Sequence, residues 1–187
     1  MRNNTSSSRS SSAGFSLVET VVSIAILTTG VLGTLDVLTR GMMTLTSSSG
    51  DVVSTEKASE AIEGVFAARD SHKLTWSQIR NVHGASGSDG GVFLDGPQSL
   101  RDAGADGVVN TADDGAIEQV VYPGPDQLIG TSDDVTITLS NYTREIQIRD
   151  VPNENGNLRS VTVIITYTAK TGQQRTYSVM TYISNYS

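Results

Sequence analysis

An α+β fold is predicted by three observations. A near-continuous apolar run close to the N-terminus passes directly into a second helix-forming segment, and the C-terminal part alternates Val, Ile, Thr and Tyr with polar residues between turn signals. Between them lies a stretch dominated by Gly, Asp and Ser, with neither periodicity. At 187 residues the chain has room for one domain plus an anchor, not for two substantial domains.

Residues 1–14 form a polar leader rich in Ser and Asn, whose Arg2 and Arg9 favour the cytoplasmic side of a membrane. Phe15 to Leu38 is apolar apart from Glu19, Asp36 and scattered hydroxyls. Its length of about 24 residues, at ~1.5 Å per residue, is enough to cross a hydrocarbon core of ~30 Å. Thr20, Ser23, Thr28 and Thr29 are tolerated there because hydroxyls bond back to the backbone or across to a neighbouring helix. Asp36 and Arg40 mark the exit.

Residues 39–70 continue as helix. Val52, Thr55, Ser59, Ile62 and Phe66 recur at three- and four-residue steps, a stripe expected to pack on a core, and Ser47-Ser48-Ser49-Gly50 is expected to break or bend the segment. Residues 71–134 are expected to be irregular. Gly84 to Gly91 cannot hold a helix or strand interior and is expected as an exposed loop, tied to the body through Trp76 and Phe93. Residues 135–187 are expected to form an antiparallel meander of about four strands, Val135–Leu139, Tyr142–Ile148, Leu158–Thr168 and Arg175–Ser184, laid over the helix.

Composition excludes several functions. The chain has no cysteine, so disulfide, thiol and zinc-thiolate chemistry are absent. Its formal charge is −7, and −9 without a leader that carries Arg2, Arg9 and no acid, which gives no basic stripe for nucleic acid. His72 and His83 lie eleven residues apart in a polar stretch, match no metal-helix spacing and are expected at the surface. There is no Gly-x-Ser-x-Gly elbow and no placement of either histidine as a base, so no enzyme is expected.

The most informative single residue is Glu19. A carboxylate at the head of a membrane-compatible helix costs several kcal/mol unless paired, and marks function rather than stability. Cleavage after Gly14 would supply a partner: Phe15 becomes a cationic N-terminus four residues before Glu19. Between axially staggered copies, amine and carboxylate would then neutralise each other in a low-dielectric core. Gly14-Phe15-Ser16-Leu17-Val18-Glu19 resembles the class III signal of type IV prepilins and type II secretion pseudopilins. Ile26-Leu27-Thr28-Thr29-Gly30-Val31-Leu32-Gly33 is most similar to minor pilins of the pilus-modification, PilV-like type.

The resemblance covers about the first quarter of the chain. It implies a pilin-like fold, removal of residues 1–14 by a prepilin peptidase with N-methylation of Phe15, and assembly through Glu19 with other pilin or pseudopilin subunits. It also implies single-pass insertion in a bacterial inner membrane, with the C-terminal domain outside the cytoplasm, before entry into a surface or periplasmic filament. The alternatives are a type II secretion pseudopilin, or an uncleaved, membrane-tethered calcium-binding domain.

One further pattern stands apart from the resemblance. Gly104-Ala105-Asp106-Gly107-Val108-Val109-Asn110-Thr111-Ala112-Asp113-Asp114 recurs twenty residues later as Gly124-Pro125-Asp126-Gln127-Leu128-Ile129-Gly130-Thr131-Ser132-Asp133-Asp134. Extended back to Asp102, the first copy is similar to an EF-hand loop, with Gly104 at a ligand position and Asp113 in place of the final Glu. Ca2+, which takes six to eight oxygens, is the expected ligand, through Asp102, Asp106, Asn110 and Asp113 in the first copy and Asp126, Asp133 and Asp134 in the second. The competing expectation is a pair of solvated Asp-Gly turns.

Overall fold

A computed structural model describes residues 16–169 and 172–186. One long helix, α1 (Leu17–Asp70), precedes six strands: β1 (Gln98–Ser99), β2 (Gln119–Tyr122), β3 (Val135–Thr138), β4 (Tyr142–Asp150), β5 (Leu158–Thr168) and β6 (Gln174–Ser184). The chain divides into two compact units, Met1–Thr44 and Leu45–Ser187.

In the first unit α1 is apolar and solvent-facing, and the span Leu17–Met42 is long and apolar enough to cross a membrane. The hydroxyls of Thr20, Thr28, Thr29, Thr34 and Thr39 bond back to carbonyls of the preceding turn. Thr28 Oγ1 donates to the Ile24 carbonyl at 2.7 Å and Thr39 Oγ1 to that of Leu35 at 2.9 Å, which removes the cost of carrying an unbonded O–H into lipid.

The second unit is built around a four-stranded antiparallel sheet in the order β1-β4-β5-β6. Strands β4 and β5 alternate buried and half-buried along their whole length, so one face is core. That face carries Ile146, Ile148, Val161, Val163, Ile165 and Tyr167, and it closes on Val53, Ala58, Ala61, Val65 and Ala68 of α1. Fully burying each Ile or Val contributes about 1.5–3 kcal/mol. Three of the five helix residues in this cluster are alanines, and Tyr142 and Tyr167 stack at 5.0 Å near one end.

The α+β architecture is the one expected, a long N-terminal helix followed by an antiparallel sheet of about four strands. Membership of that sheet differs. Val135–Thr138 is not part of the meander: it pairs with Gln119–Tyr122 in a separate two-stranded ribbon, from Gln119↔Thr138 to Tyr122↔Val135. The second Asp repeat connects these two strands as a hairpin, so β3's nearest partner is the strand that enters that repeat. The vacant place beside β4 is taken by β1, two residues long, in register Gln98↔Arg144 and Ser99↔Thr143. Residues 71–134 thus contribute two strands, although Gly84–Gly91 itself is turn and mostly exposed loop.

Beyond β1 the edge of β4 is covered by side chains. Asn81 Nδ2 donates to the Ile146 carbonyl and its Oδ1 accepts from Ile148 N–H, both at 2.8 Å, as a strand partner would. The helix stripe also differs from expectation. Val52, Thr55 and Ser59 are exposed, Ile62 and Phe66 half-buried, and the buried line runs one position over through Val53, Ser54, Ala58, Ala61, Val65 and Ala68. The buried line is made largely of small residues, whose low hydropathy leaves a weak apolar signal in the sequence. Helix α1 passes through Ser47–Gly50 without interruption.

Candidate functional site

Gly14 and Phe15 lie outside the described residues. Glu19 stands in the first turn of α1 and is exposed, and among the described residues no side chain pairs with it. A carboxylate in the first turn also interacts favourably with the positive end of the helix dipole.

The two Asp repeats fold alike. In the first, Asp106 Oδ1 accepts from Val108 N–H at 3.0 Å, and Asp113 Oδ2 accepts from Asp106 N–H at 3.3 Å. Thr111 Oγ1 donates to Asp113 Oδ1 at 2.7 Å, and Asp114 accepts from the backbone of Asn110 and Thr111. In the second, Asp126 Oδ1 accepts from Leu128 N–H at 2.9 Å, Asp133 accepts from Asp126 N–H and Thr131 Oγ1, and Asp134 from Gly130 and Thr131 N–H. The glycine that opens each copy is required sterically, because a Cβ at Gly104 would collide with Asp113 and one at Gly124 with Asp133.

These bonds set the carboxyl affinities for protons. The threonine hydroxyl holds Asp113 and Asp133 below the ordinary carboxylate range. Asp106 is pushed up, first by burial and then by the charges of Asp113 and Asp114, despite the bond from Val108.

The seven residues expected to bind Ca2+ are placed unevenly. Asp106 and Asp113 come together in the first loop, and Asp126, Asp133 and Asp134 in the second. Asp102 is exposed on the stem of the first loop, its backbone paired with Gly115 and Ala116. Asn110 is turned into the core: its Nδ2 donates to the Arg144 carbonyl at 2.7 Å and its Oδ1 accepts from Arg144 Nε at 2.8 Å. Among the described residues no three His, Asp or Glu side chains are already gathered into a metal-sized cluster.

That turn of Asn110 anchors the first loop to a buried charge network. Arg144, 1% exposed, donates to Glu118 Oε1 at 2.9 Å and to the Arg101 carbonyl at 3.0 Å. Glu118 Oε2 faces Lys57 Nζ at 2.9 Å, and Lys57 also meets Glu60 at 2.7 Å. Burial lowers the Lys57 affinity for its proton, but the bonds to Glu60 and Glu118 outweigh it and the net shift is upward. The network joins α1, β4 and the first repeat.

Residues 9–35 match the family model described as the prokaryotic N-terminal methylation motif. The match supports a type IV pilin-like or pseudopilin protein. No curated protein matches the chain, and no solved structure does. The match takes in Gly14, Phe15 and Glu19 of the pilin-like signal, together with most of the apolar span. Prepilin motifs imply processing by a prepilin peptidase and assembly with other pilins.

Sequence reasoning missed Lys57, Glu118 and Arg144 as a linked group. A signal existed for one of them: alternation in Tyr142-x-Arg144-x-Ile146-x-Ile148 places Arg144 on the core face, where an arginine needs a buried acid. The histidines stand at the surface as expected, and His83 Nδ1 meets Asp95 at 3.1 Å.

Proposed function

We propose that this chain is a minor pilin subunit of a type IV pilus-like filament, of the pilus-modification kind, whose role is assembly rather than catalysis. Residues 1–14 are the leader, Phe15 is the processed and N-methylated terminus, and the span beginning at Leu17 holds the subunit in the inner membrane until Glu19 meets a neighbour's terminal amine. The observation that carries the proposal is the match of residues 9–35 to the methylation motif, which runs into an apolar helix with one carboxylate in its first turn. The deciding measurement is the mass and N-terminal sequence of the membrane-extracted protein from a host with an active prepilin peptidase. A chain beginning at N-methylated Phe15 is expected. An intact Met1 leader, with a control substrate cleaved, would overturn the proposal in favour of a tethered domain.

A role as a type II secretion pseudopilin uses the same processing, and it is separated by which filament system loses function when the gene is deleted. Calcium at the Asp loops is a second reading. It is favoured by the charge that Asp113 and Asp114 place on Asp106, which a hard dication would relieve, and by Asp134 Oδ1, a buried oxygen with no hydrogen-bond donor among the described residues. Added CaCl2 should then raise the melting temperature with the logarithm of free ion, and Asp113→Asn with Asp133→Asn should abolish the rise. An equal rise in that double variant would exclude the loops as the site.

A further inference from the structure

The two edges of the four-stranded sheet are finished differently. In an antiparallel pair, successive residues of a strand turn their N–H and C=O to opposite sides. On β4 the even-numbered residues face away from β5, because Thr168 N–H donates to the Asn141 carbonyl and Val151 N–H to that of Leu158, at the two ends of that pairing. Those outward groups are occupied. Besides the Asn81 amide on Ile146 and Ile148, Tyr142 N–H donates to the Leu139 carbonyl at 3.2 Å and the Arg144 carbonyl accepts from Asn110 Nδ2.

Strand β6 has the same alternation without the cover. Ala169 N–H donates to the Gln173 carbonyl and Asn185 N–H to that of Asn157, both at 2.8 Å, so odd-numbered residues bond into β5 and even-numbered ones face out. The last outward carbonyl, on Ser184, accepts from Arg69 Nη1 at 3.0 Å. Thr176, Ser178, Met180 and Tyr182 are exposed, and nothing among the described residues bonds their outward N–H or C=O. The devices that blunt an edge are missing too: Gln174–Ser184 has no Pro, Lys or acid, and pairs with β5 over 11 residues without a bulge. Its one charge, Arg175, is tied to Asp51 at 3.2 Å.

The backbone itself states what fits. Four successive outward residues offer a donor and an acceptor about every 7 Å, a repeat that another extended chain matches. Beside them, on the core face, Tyr177 and Val179 are only half-buried, so a strand laid along β6 would bury apolar residues there. We propose that β6 receives an extended, uncharged segment of a different protein, which joins the four-stranded sheet as a fifth strand. A second copy of this chain is disfavoured. Asp51 meets Arg175 and Arg69 meets Ser184, so this part of α1 runs in the same direction as β6. Closed pairing of β6 with itself is antiparallel and would set the two helices in opposite directions, whereas chains inserted in one membrane by the same end run alike. That exclusion rests on the membrane reading; the open edge does not.

The test is a pair of proline substitutions in the full-length chain, read by melting temperature and by photocrosslinking in the cells that make it, with a benzophenone amino acid in place of Met180. Ser178→Pro removes an outward N–H and should leave the melting temperature unchanged. Val179→Pro removes a bond to β5 and should lower it by at least about 10 °C. The probe should form an adduct with a different protein, mapped to a segment of four or more residues without Pro or charge, and Ser178→Pro should reduce that adduct at least fivefold. A melting temperature lowered as far by Ser178→Pro as by Val179→Pro would mean that the edge is already paired, and overturns the inference. So does an adduct that survives Ser178→Pro, an adduct to a second copy of this chain or to lipid, or none at all. The N-terminus of the same chain separates the two proposals: a retained leader removes the filament reading and leaves a proline-sensitive adduct standing, whereas a processed Phe15 without the adduct removes this inference alone.

Discussion

Arg144 and Glu118 meet at 2.9 Å with side chains 1% and 5% exposed, a full ion pair inside the core of the second unit. Such a pair need not add net stability relative to an apolar core, but removing one partner leaves an uncompensated buried charge. Glu118→Ala should therefore lower the unfolding free energy by about 3–5 kcal/mol in urea denaturation. A loss below about 1 kcal/mol would mean that water reaches Arg144.

The opening glycines offer a paired comparison. Gly104→Ala and Gly124→Ala introduce the same collision with Asp113 and Asp133, and overpacking of this kind costs about 1–3 kcal/mol where the surroundings are fixed. The first loop is tied to Arg144 and the second is mostly exposed. Gly104→Ala should shift global unfolding, whereas Gly124→Ala should speed amide exchange in residues 124–134 with little effect elsewhere. Equal global losses would show that the second loop is as firmly docked as the first.

Acid should open the loops. The folded-state affinities of Asp113 and Asp133 are depressed, so their stabilisation is complete above the unfolded carboxylate value of about 3.9 and is lost as pH falls through the lower folded value. Asp106 is raised and acts in the opposite sense: it destabilises the neutral-pH fold and is relieved as pH falls through its folded value. Carboxyl NMR titration should give the order Asp106 above Asp113. The reverse order would contradict the threonine contacts.

Alkali should report on one tyrosine. The Tyr167 hydroxyl donates to Asp51 Oδ1 at 2.8 Å, and burial together with that acceptor pushes its phenol up to about 12. Its folded-state value is above the unfolded one, so the contribution is complete below about pH 10 and is lost as pH rises through about 12. Absorbance titration of the wild type should show a late-ionising phenol that is missing in Tyr167→Phe. Ionisation of every tyrosine near pH 10 would refute the Asp51 contact.

Glu19→Ala should leave leader cleavage intact and strongly reduce incorporation into filaments, read as the surface-to-membrane ratio of the processed chain. Normal incorporation would remove charge pairing from the mechanism.

The long helix and strands β4 to β6 were legible because their patterns are local: length and hydropathy for the membrane-compatible span, alternation for the strands. The partners of β1 and β3 were not, since a two-residue strand has no periodicity, and β3's choice of β2 depends on the hairpin built by the second repeat. The repeat itself was visible in residue spacing, and both copies share one hydrogen-bond frame. What spacing cannot convey is that Asn110 serves Arg144, because that contact joins residues thirty-four apart through the core. The helix stripe was misplaced by one position for a related reason: Ala58, Ala61 and Ala68 are buried by what packs over them, while their own hydropathy is too low to mark them as core.

The helix is made long before its cover. Val53 to Ala68 emerge from the ribosome ahead of every strand that buries them, and Tyr142 follows Val53 by about 90 residues, or on the order of 5–20 seconds at typical elongation rates. The central strand β5 lacks its second neighbour until Gln174–Ser184 have also been made. Three alanines in the waiting stripe reduce the greasy area offered to other nascent chains during that interval.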